Sequence, residues 1–306
     1  MIDLAIVGAG PSAISAAIYA ARDGLNVKVF EKQIIGGLVS QTDLIENYPG
    51  FEEGITGLDL IKKMRSQAEK FGAKFEYAEV SSLEQKDGYV TFLADGFELK
   101  ARTILLAVGN EYRKLGIENE DRFIGRGIYF CGTCDGPLFK DKEVIAVGGG
   151  NSAVQEAIFI SKYASKVHLI VRSDIKAQEV LKERLEDAVN KGKITVYKGA
   201  QIKELLMDAE NISGAKITFN NSREDINILS PAIFEFIGLV PNTKWLDGSG
   251  VETNDRGEII VDKNLKTSLD LVYATGDAIE DAKKQIIIAA GNGALAALNI
   301  SKKLSF

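Results

Sequence analysis

The feature that most constrains this chain is an internal repeat of a short apolar strand, a glycine-rich turn and a helix rich in small residues. The first copy runs through Leu4–Val7 and Gly8–Ala13, and the second begins 140 residues later with Val144–Val147 and Gly148–Ala153. In each copy, small residues let the backbone approach a pyrophosphate, and the helix presents free N–H groups and a positive dipole end. We therefore predict two nucleotide-binding units. The alternative is that the glycines only pack a helix onto a sheet.

The strand after each helix ends differently, and the difference bears on the nucleotide. The strand Val27–Phe30 is followed by Glu31, 23 residues after Gly8, where an acid accepts hydrogen bonds from an adenosine ribose. FAD and NAD both fit this first unit. In the second unit Val171 stands at the equivalent position and Arg172 follows, so a guanidinium is available for a 2′-phosphate. This favours NADPH, unless Arg172 is only a solvated residue at a strand end.

Both cysteines lie in one tetrapeptide, Cys131 to Cys134, in a segment that we predict to be a loop before the strand of the second copy. Two thiols at this spacing can form a disulfide that exchanges with an incoming one, one thiol attacking and the other resolving the mixed disulfide. Asp135 follows them and is a candidate proton donor or acceptor for the departing thiolate. The alternatives are two inert buried thiols and, for Asp135, a turn role before a Gly-Pro pair.

Composition excludes several other classes of protein. The net charge is −6 and the lysines are scattered, so no nucleic-acid partner is expected. No apolar stretch approaches the roughly 18 residues of a membrane span, and the first residues lack a secretory signal, so we expect a cytoplasmic protein without a membrane partner. Zinc would need further ligands, and the only histidine, His168, lies in an apolar segment, so no metal is expected.

The order of elements predicts an α/β fold with two Rossmann-like nucleotide-binding domains, the FAD domain being split by an inserted NAD(P)H domain. The expected FAD domain covers residues 1–112 and 239–306, and the inserted domain, which carries the cysteine pair, covers residues 113–238. Helices are predicted around Gly57–Phe71, from the second glycine turn to about Tyr163, and over Lys284–Leu304.

These motifs resemble the low-molecular-weight thioredoxin reductase family, the class II pyridine nucleotide-disulfide oxidoreductases, across essentially the whole chain. The segments that look like the signatures of this family, in its order, are Gly8–Ala13, Cys131–Gly136, Gly148–Ala153, Ile237–Thr243 and Ala274–Asp277. Other stretches resemble the reductase portion of the alkyl hydroperoxide reductase flavoprotein: Cys134–Lys140, Lys176–Lys182 and Lys284–Ala290. That flavoprotein has additional N-terminal thioredoxin-like domains. Here the first strand begins beside Met1, so we expect a separate carrier protein.

The resemblance implies a thioredoxin-disulfide reductase that passes electrons from NADPH through FAD to the Cys131–Cys134 disulfide. A thioredoxin or glutaredoxin-like protein would then accept them. Cys134 would face the flavin, Cys131 would attack the disulfide of the carrier, and Asp135 would be the acid. The resemblance also implies a homodimer and a nicotinamide domain that turns against the FAD domain.

The same resemblance suggests roles for further residues. Asp277 would contact the ribityl or phosphate region of FAD and Glu31 the adenosine ribose, with Asn47 and Gln285 near the flavin. The full predicted set of cofactor contacts is Gly8, Gly10, Pro11, Ser12, Ala13, Glu31, Lys32, Gly37, Leu38, Asn47, Val80, Gly109, Gly149, Asn151, Ser152, Arg172, Ile237, Gly276, Asp277, Lys284, Gln285 and Ile286.

One departure leaves the electron donor open. In relatives that use NADPH, the corresponding segment resembles His-Arg-Arg followed by another arginine, whereas this chain has Val171–Asp174. NADH and reduced ferredoxin are therefore alternatives, although retention of Gly148–Ala153 argues against the relatives that lack nicotinamide motifs. Other functions also stay open. These are an NAD(P)H oxidase or peroxide-system flavoprotein reductase, a ferredoxin–NADP reductase, which would not need the cysteines, and a flavin or nucleotide sensor.

Overall fold

The chain forms two compact units in the computed structural model, which describes residues 1–42, 44–220 and 224–305. Unit 1 comprises Met1–Glu111 and Val240–Phe306, and unit 2 comprises Tyr112–Leu239. Unit 2 is therefore an insertion within the sequence of unit 1.

The elements of both units are numbered in chain order. The strands are β1 (Ile2–Val7), β2 (Val27–Glu31), β3 (Lys74–Tyr77), β4 (Val80–Gln85), β5 (Val90–Ala94), β6 (Phe97–Leu106), β7 (Asn110–Tyr112), β8 (Ile128–Tyr129), β9 (Glu143–Val147), β10 (Lys166–Val171), β11 (Ile194–Lys198), β12 (Ala200–Asp208), β13 (Asn211–Phe219), β14 (Ile226–Leu229), β15 (Ile233–Glu235), β16 (Leu239–Pro241) and β17 (Val272–Ala274). The α-helices are α1 (Pro11–Arg22), α2 (Gly57–Lys70), α3 (Glu120–Phe123), α4 (Gly132–Asp135), α5 (Asn151–Ile160), α6 (Glu179–Asn190) and α7 (Ile286–Leu304). Short 3₁₀ helices cover Gly37–Gln41, Gly136–Phe139, Lys244–Leu246 and Gly276–Ala278.

Unit 1 is built on a sheet whose parallel strands run in the order β3, β2, β1, β6 and β17. The first half of β6 also pairs with β5 in an antiparallel meander that ends at β4. β1 and the second half of β6 are almost entirely buried, which is why their sequences are continuous apolar runs. Helices α1 and α7 pack so closely that a Cβ on Gly293 would lie 2.0 Å from the carbonyl oxygen of Ser12.

Unit 2 has a parallel sheet in the order β11, β10, β9, β15 and β8. Alternate residues of each strand point to opposite faces. One face, with Val144 and Phe234, packs with α5 and α6, and the other, with Ile145 and Ile233, packs with the antiparallel strands β12, β13 and β14. The predicted α/β fold with two Rossmann-like units is confirmed.

Three details differ from the sequence prediction. The cysteine segment is not a loop, because Gly132–Asp135 forms the one-turn helix α4. Helix α7 begins at Ile286 rather than Lys284, since Lys284 has a left-handed backbone (φ +51°) and Gln285 is extended. Helix α5 ends at Ile160, about one turn earlier than predicted.

No helix within the described part of the chain is both long and apolar enough to cross a bilayer. The same residues contain no cluster of three His, Cys, Asp or Glu side chains placed to hold a metal ion.

Candidate active site

The first glycine turn joins β1 to α1 in unit 1. Gly8 has a φ of +95°, and a Cβ there would lie 2.3 Å from the carbonyl oxygen of Ala107, so only glycine fits. Gly10 is the N-cap of α1, and a Cβ on it would meet no atom within 4 Å. Pro11 occupies the first helical turn, where its missing N–H costs nothing. The turn therefore leaves the N-terminus of α1 open to an anionic group.

Glu31 ends β2 beside this turn. Its Oε2 accepts the backbone N–H of Ala9 at 2.9 Å, and its Oε1 accepts the backbone N–H of Gln33, also at 2.9 Å. These bonds fix the carboxylate, and each oxygen keeps a further lone pair for a ligand hydroxyl.

A cavity of about 450 Å³ opens beside Glu31. Of the predicted residues, Gly8, Glu31, Lys32 and Val80 line it. The sequence prediction missed the other polar and aromatic lining residues, which are Phe30, Glu79, Glu111, Asn242, Lys244 and Trp245. The cavity is large enough for a nucleoside, and its lining combines three acids, two cations and two aromatic residues, so it fits an adenosine group.

Asn242 connects this cavity to another predicted residue. Its backbone N–H donates to the carbonyl oxygen of Gly109 at 3.0 Å, and its own carbonyl accepts the indole N–H of Trp245 at 3.1 Å. The pair of bonds holds the only tryptophan of the chain against the cavity.

Ser12 and Ala13, both buried in the first turn of α1, adjoin the segment that contains Gly276 and Asp277. A Cβ on Gly276 would lie 2.6 Å from Oγ of Ser12, so the two backbones approach closely here. Burial raises the pKa of Asp277, and the charge of Lys284 partly opposes that effect. The Asp277 carboxyl is thus suited to a hydrogen bond with a buried polar ligand.

Two more predicted groups lie at neighbouring loops. Nδ2 of Asn47 donates to Oε1 of Gln285 at 3.1 Å, and Gln285 is the N-cap of α7, which starts at Ile286. Gly37 and Leu38 begin the 3₁₀ helix that follows Ile35.

The second glycine turn, between β9 and α5 in unit 2, repeats the first in detail. Gly148 has a φ of +141°, and a Cβ there would lie 2.4 Å from the carbonyl oxygen of Phe236. Gly150 is the N-cap of α5, and a Cβ on it would again meet no atom within 4 Å. Each unit therefore places an open helix N-terminus after its first strand.

The other predicted residues of unit 2 surround this turn. Gly149 lies within it, and a Cβ there would approach Cγ1 of Val171 to 2.8 Å. The side chain of Asn151 accepts the backbone N–H of Gln178 at 2.7 Å, while Ser152 is exposed. Asn151 thus braces the helix N-terminus.

Arg172 follows β10 and is exposed. Asp174, two residues later, forms an ion pair with Lys198 at 2.7 Å, and hydrogen bonding from Lys198 lowers the pKa of Asp174. Ile237, the remaining predicted residue, follows β15 and is partly buried.

Cys131 and Cys134 form a disulfide across the one-turn helix α4, with their Cα atoms 5.3 Å apart. Cys131 is the N-cap of α4, and its Sγ accepts the backbone N–H of Cys134 at 3.2 Å. The pair follows β8, the glycine turn follows β9 and Arg172 follows β10. Because these strands are parallel, the disulfide and the glycine turn lie at the same edge of the sheet of unit 2.

Three ionisable side chains lie near Asp135 or the residues between the cysteines. Oε2 of Glu156, on α5, accepts the backbone N–H of Thr133 at 3.1 Å. Burial raises the pKa of Tyr112, with smaller contributions from Glu156 and Asp135, and it also raises the pKa of Tyr129, with Asp135 adding to it. The sequence prediction missed Glu156 and both tyrosines. Folding brings Glu156 and Tyr112 to this segment from elsewhere in the chain, and Tyr129, two residues before Cys131, belongs to no motif.

A larger cavity, of about 700 Å³, lies elsewhere in unit 2. His168 lines it and hydrogen-bonds through Nε2 to Glu143 at 2.8 Å and through Nδ1 to Tyr197 at 3.1 Å. Glu143 begins β9, so this cavity is near the amino ends of the strands, away from the glycine turn.

Comparison with known families decides what this arrangement belongs to. The model of the pyridine nucleotide-disulphide oxidoreductases matches residues 2–293. The chain belongs to this family. Its name joins the two features described above, a nucleotide turn and a disulfide.

Individual members of the family are similar over nearly the whole chain. A thioredoxin reductase from Listeria monocytogenes is 36% identical over 301 residues, which covers 98% of this chain and 93% of the relative. The solved thioredoxin reductases of Lactococcus lactis and T. acidophilum superpose with TM-scores of 0.85 and 0.83, at 31% and 34% identity, and each comparison covers 100% of this chain and 99% of the other. The resemblance to the low-molecular-weight thioredoxin reductases is therefore confirmed.

Proposed function

We propose that this protein is a thioredoxin-disulfide reductase that takes electrons from NADPH, uses FAD in unit 1, and reduces a thioredoxin-like carrier through the Cys131–Cys134 disulfide of unit 2. The observation that carries the proposal is the disulfide itself. It is formed across a single helical turn, at the same sheet edge as the second glycine turn. The activity named for the relatives supports it.

The residues of unit 1 fit FAD. The open N-terminus of α1 after Gly10 would take the pyrophosphate, Glu31 would accept a ribose hydroxyl, and the cavity beside Trp245 would take the adenosine. The buried carboxyl of Asp277 and the amides of Asn47 and Gln285 would contact the remainder. When bound, FAD would supply the two-electron chemistry that links hydride transfer from the nicotinamide to the reduction of a disulfide.

In unit 2 the N-terminus of α5 would take the pyrophosphate of the nicotinamide nucleotide. Arg172 is exposed at the end of β10, where a 2′-phosphate would lie, and no acid stands in its place. Asp174 is held by Lys198, so its charge is compensated. These features favour NADPH over NADH.

The chemistry of the chain itself is thiol–disulfide exchange. Two electrons and two protons convert the disulfide into two thiols, and the backbone N–H of Cys134 then stabilises a thiolate at Cys131. That thiolate attacks the disulfide of the carrier, forming a mixed disulfide as the second sulfur of the carrier leaves with a proton from Asp135. Cys134 next loses its proton and attacks Sγ of Cys131, and the carrier sulfur that leaves takes up a proton; this restores the disulfide and releases the reduced carrier as a dithiol.

Donor use is tested by adding NADPH or NADH to the anaerobic, flavin-bound protein and following flavin absorbance by stopped flow. We expect rapid bleaching with NADPH and slow bleaching with NADH. Replacing Arg172 by Gln should raise the KM for NADPH about tenfold and leave that for NADH unchanged, since one charged hydrogen bond is lost. The exposed Arg184 of α6, replaced by Gln, is the matched control. No bleaching by either nucleotide would contradict the proposal and favour reduced ferredoxin as the donor.

Carrier use is tested with oxidised thioredoxin and the two single cysteine variants. Cys134→Ser should trap a mixed disulfide through Cys131, whereas Cys131→Ser should not, because the resolving thiol is the one lost in the first variant. Trapping by the opposite variant would exchange the two roles. Oxygen consumption at the same rate with and without carrier would instead indicate an NAD(P)H oxidase.

A homodimer through α7 is part of the proposal. One side of α7 packs on α1, and the other exposes Ile287, Ile288, Leu295 and Leu298, a set of large apolar side chains on one helix. An apolar patch of this kind suits a second copy of the chain. Leu298→Glu should shift the sedimentation of the protein to that of a monomer. Leu229→Glu, an exposed leucine of unit 2, should not.

We also place the reaction in the cytoplasm. Both cysteines of the chain belong to the exchanging pair, so no structural disulfide requires an oxidising compartment. Cell fractionation with an antibody against the chain would test this location.

A further inference from the structure

Glu156 lies on α5, the helix that begins at the second glycine turn, and its carboxylate reaches the cysteine pair. Its Oε2 accepts the backbone N–H of Thr133 at 3.1 Å, and the backbone N–H of Gly132 also hydrogen-bonds to the carboxylate. Gly132 and Thr133 are the two residues between the cysteines. One side chain therefore holds both intervening amides.

The helix that carries the cysteines receives hydrogen-bond partners from outside itself. α4 is a single turn, and the first N–H groups of any helix lack partners within it. Cys131 accepts one such group, that of Cys134, and Glu156 accepts those of Gly132 and Thr133. The contacts from α5 therefore add to the disulfide and to the backbone bond between Asp135 and Cys131 in holding the segment that joins the two sulfurs.

Space at Gly132 is matched to this contact. A Cβ on Gly132 would lie 2.5 Å from Oε2 of Glu156 and 3.0 Å from Cδ1 of Ile160. Any larger residue at position 132 would push the carboxylate away from the amides. Gly132 and Glu156 therefore act as a unit.

The carboxylate also brings charge to the pair. Burial raises the pKa of Glu156, and the two amide hydrogen bonds oppose that rise. Other ionisable groups near this segment, within the described residues, are Asp135 on α4, Tyr112 on β7 and Tyr129 on β8. A negative charge at Glu156 disfavours a thiolate nearby, so it raises the pH at which the reduced pair ionises.

We propose that Glu156 is a positioning residue for the redox disulfide, holding the amides of Gly132 and Thr133 so that Cys131 and Cys134 keep the geometry of exchange. The proposal rests on the proposed function for its effect on turnover, but the contact itself does not depend on the identity of donor or carrier. Two substitutions distinguish the hydrogen-bond acceptor from the negative charge. Gln at position 156 keeps a carbonyl acceptor without the charge, whereas Ala removes both.

The test compares Glu156→Gln, Glu156→Ala and the exposed control Glu183→Ala in the flavin-bound protein. Glu156→Ala should lower kcat with thioredoxin about tenfold, because a tenfold change in rate corresponds to about one hydrogen bond to a charged group. Flavin bleaching by NADPH should be unchanged. Glu156→Gln should recover most of this loss. Both variants should ionise their reduced thiols at lower pH than the wild type and the control, as measured by the pH dependence of iodoacetamide alkylation after reduction with dithiothreitol.

Coupling to Gly132 provides a second arm that does not require turnover. Gly132→Ala should slow thiol alkylation or change its pH profile in the wild type and have less effect in the Glu156→Ala background, because the clash is then gone. If Glu156→Ala keeps wild-type turnover and alkylation profile, the positioning role is overturned. If the wild type itself fails to reduce thioredoxin, the proposed function fails while the alkylation profiles still decide the role of Glu156.

Discussion

Glu235 offers the sharpest test of the electrostatics of unit 2. It ends β15 and is buried, and within the described residues neither carboxyl oxygen makes a hydrogen bond of ordinary geometry. The neighbouring Glu120 is also buried, but its carboxylate accepts the backbone N–H groups of Leu115, Gly116 and Ile117 at 2.7, 2.6 and 3.1 Å. Burial first, and then the proximity of Glu120, raises the pKa of Glu235 to about 9.

This shift makes stability depend on pH. The ordinary pKa of the carboxyl is 4.5. Between about pH 4.5 and pH 9 the folded protein therefore keeps a proton on Glu235 that the unfolded chain has already released. The contribution of Glu235 to stability is therefore complete below pH 4.5 and is lost as pH rises through 9. Each pH unit in that window lowers the free energy of unfolding by about 1.4 kcal/mol, which amounts to about 3 kcal/mol between pH 6 and pH 8. Glu235→Gln removes the titration.

Urea unfolding of the flavin-bound wild type and Glu235→Gln, followed by circular dichroism at pH 6, 7 and 8, measures this effect. The unfolding free energy of the variant minus that of the wild type should rise by about 3 kcal/mol between pH 6 and pH 8. The exposed Glu118→Gln should give a difference that is constant with pH. A constant difference for Glu235→Gln as well would refute the idea that this carboxyl is buried with its proton.

Three further predictions concern the nucleotide sites and the helix crossing. Glu31→Gln should weaken FAD retention about tenfold, measured by flavin release on dilution, because the charged acceptor for a ribose hydroxyl is lost; unchanged retention would contradict its role. Gly293→Ala should lower the unfolding free energy by about 2 kcal/mol in thermal or urea melts, since its methyl group would meet the carbonyl of Ser12 at 2.0 Å, and an unaltered melt would show that α1 and α7 are less tightly packed. Gly150→Ala should raise the KM for the nicotinamide nucleotide without changing the melt, and a lowered melt would indicate a structural role instead.

The sequence predicted the fold because its signals are local. A strand, a glycine turn and an alanine-rich helix are contiguous, so Leu4–Val7 with Gly8–Ala13 and their repeat near Gly148 could be interpreted without knowing the tertiary structure. The helix at Gly132–Asp135 was not predicted, because it is one turn long and depends on Glu156 from another helix. Intrinsic propensity carries little information about such a segment.

The same limit applies to the site. Glu31 follows its turn at a fixed spacing, and the two cysteines are three positions apart, so the sequence alone made these residues candidates. Trp245 and Lys244 reach the cavity beside Glu31 from more than 200 residues away in the chain, and nothing in their own neighbourhood indicates that position. Buried carboxyls such as Glu235 are also invisible in a sequence, because burial is a property of the folded chain.

The two glycine turns carry two different kinds of information about descent. At Gly8 and Gly148 a side chain would collide with a backbone carbonyl of the same unit, that of Ala107 or Phe236. A relative that had lost its nucleotide would therefore still need both glycines in order to fold. Gly10 and Gly150 face open space, and only a bound nucleotide would select against a side chain there. In a lineage that changed its electron donor, Gly150 should therefore be substituted before Gly148. A relative with another residue at position 150 and a retained Gly148 would be one that no longer binds the nucleotide.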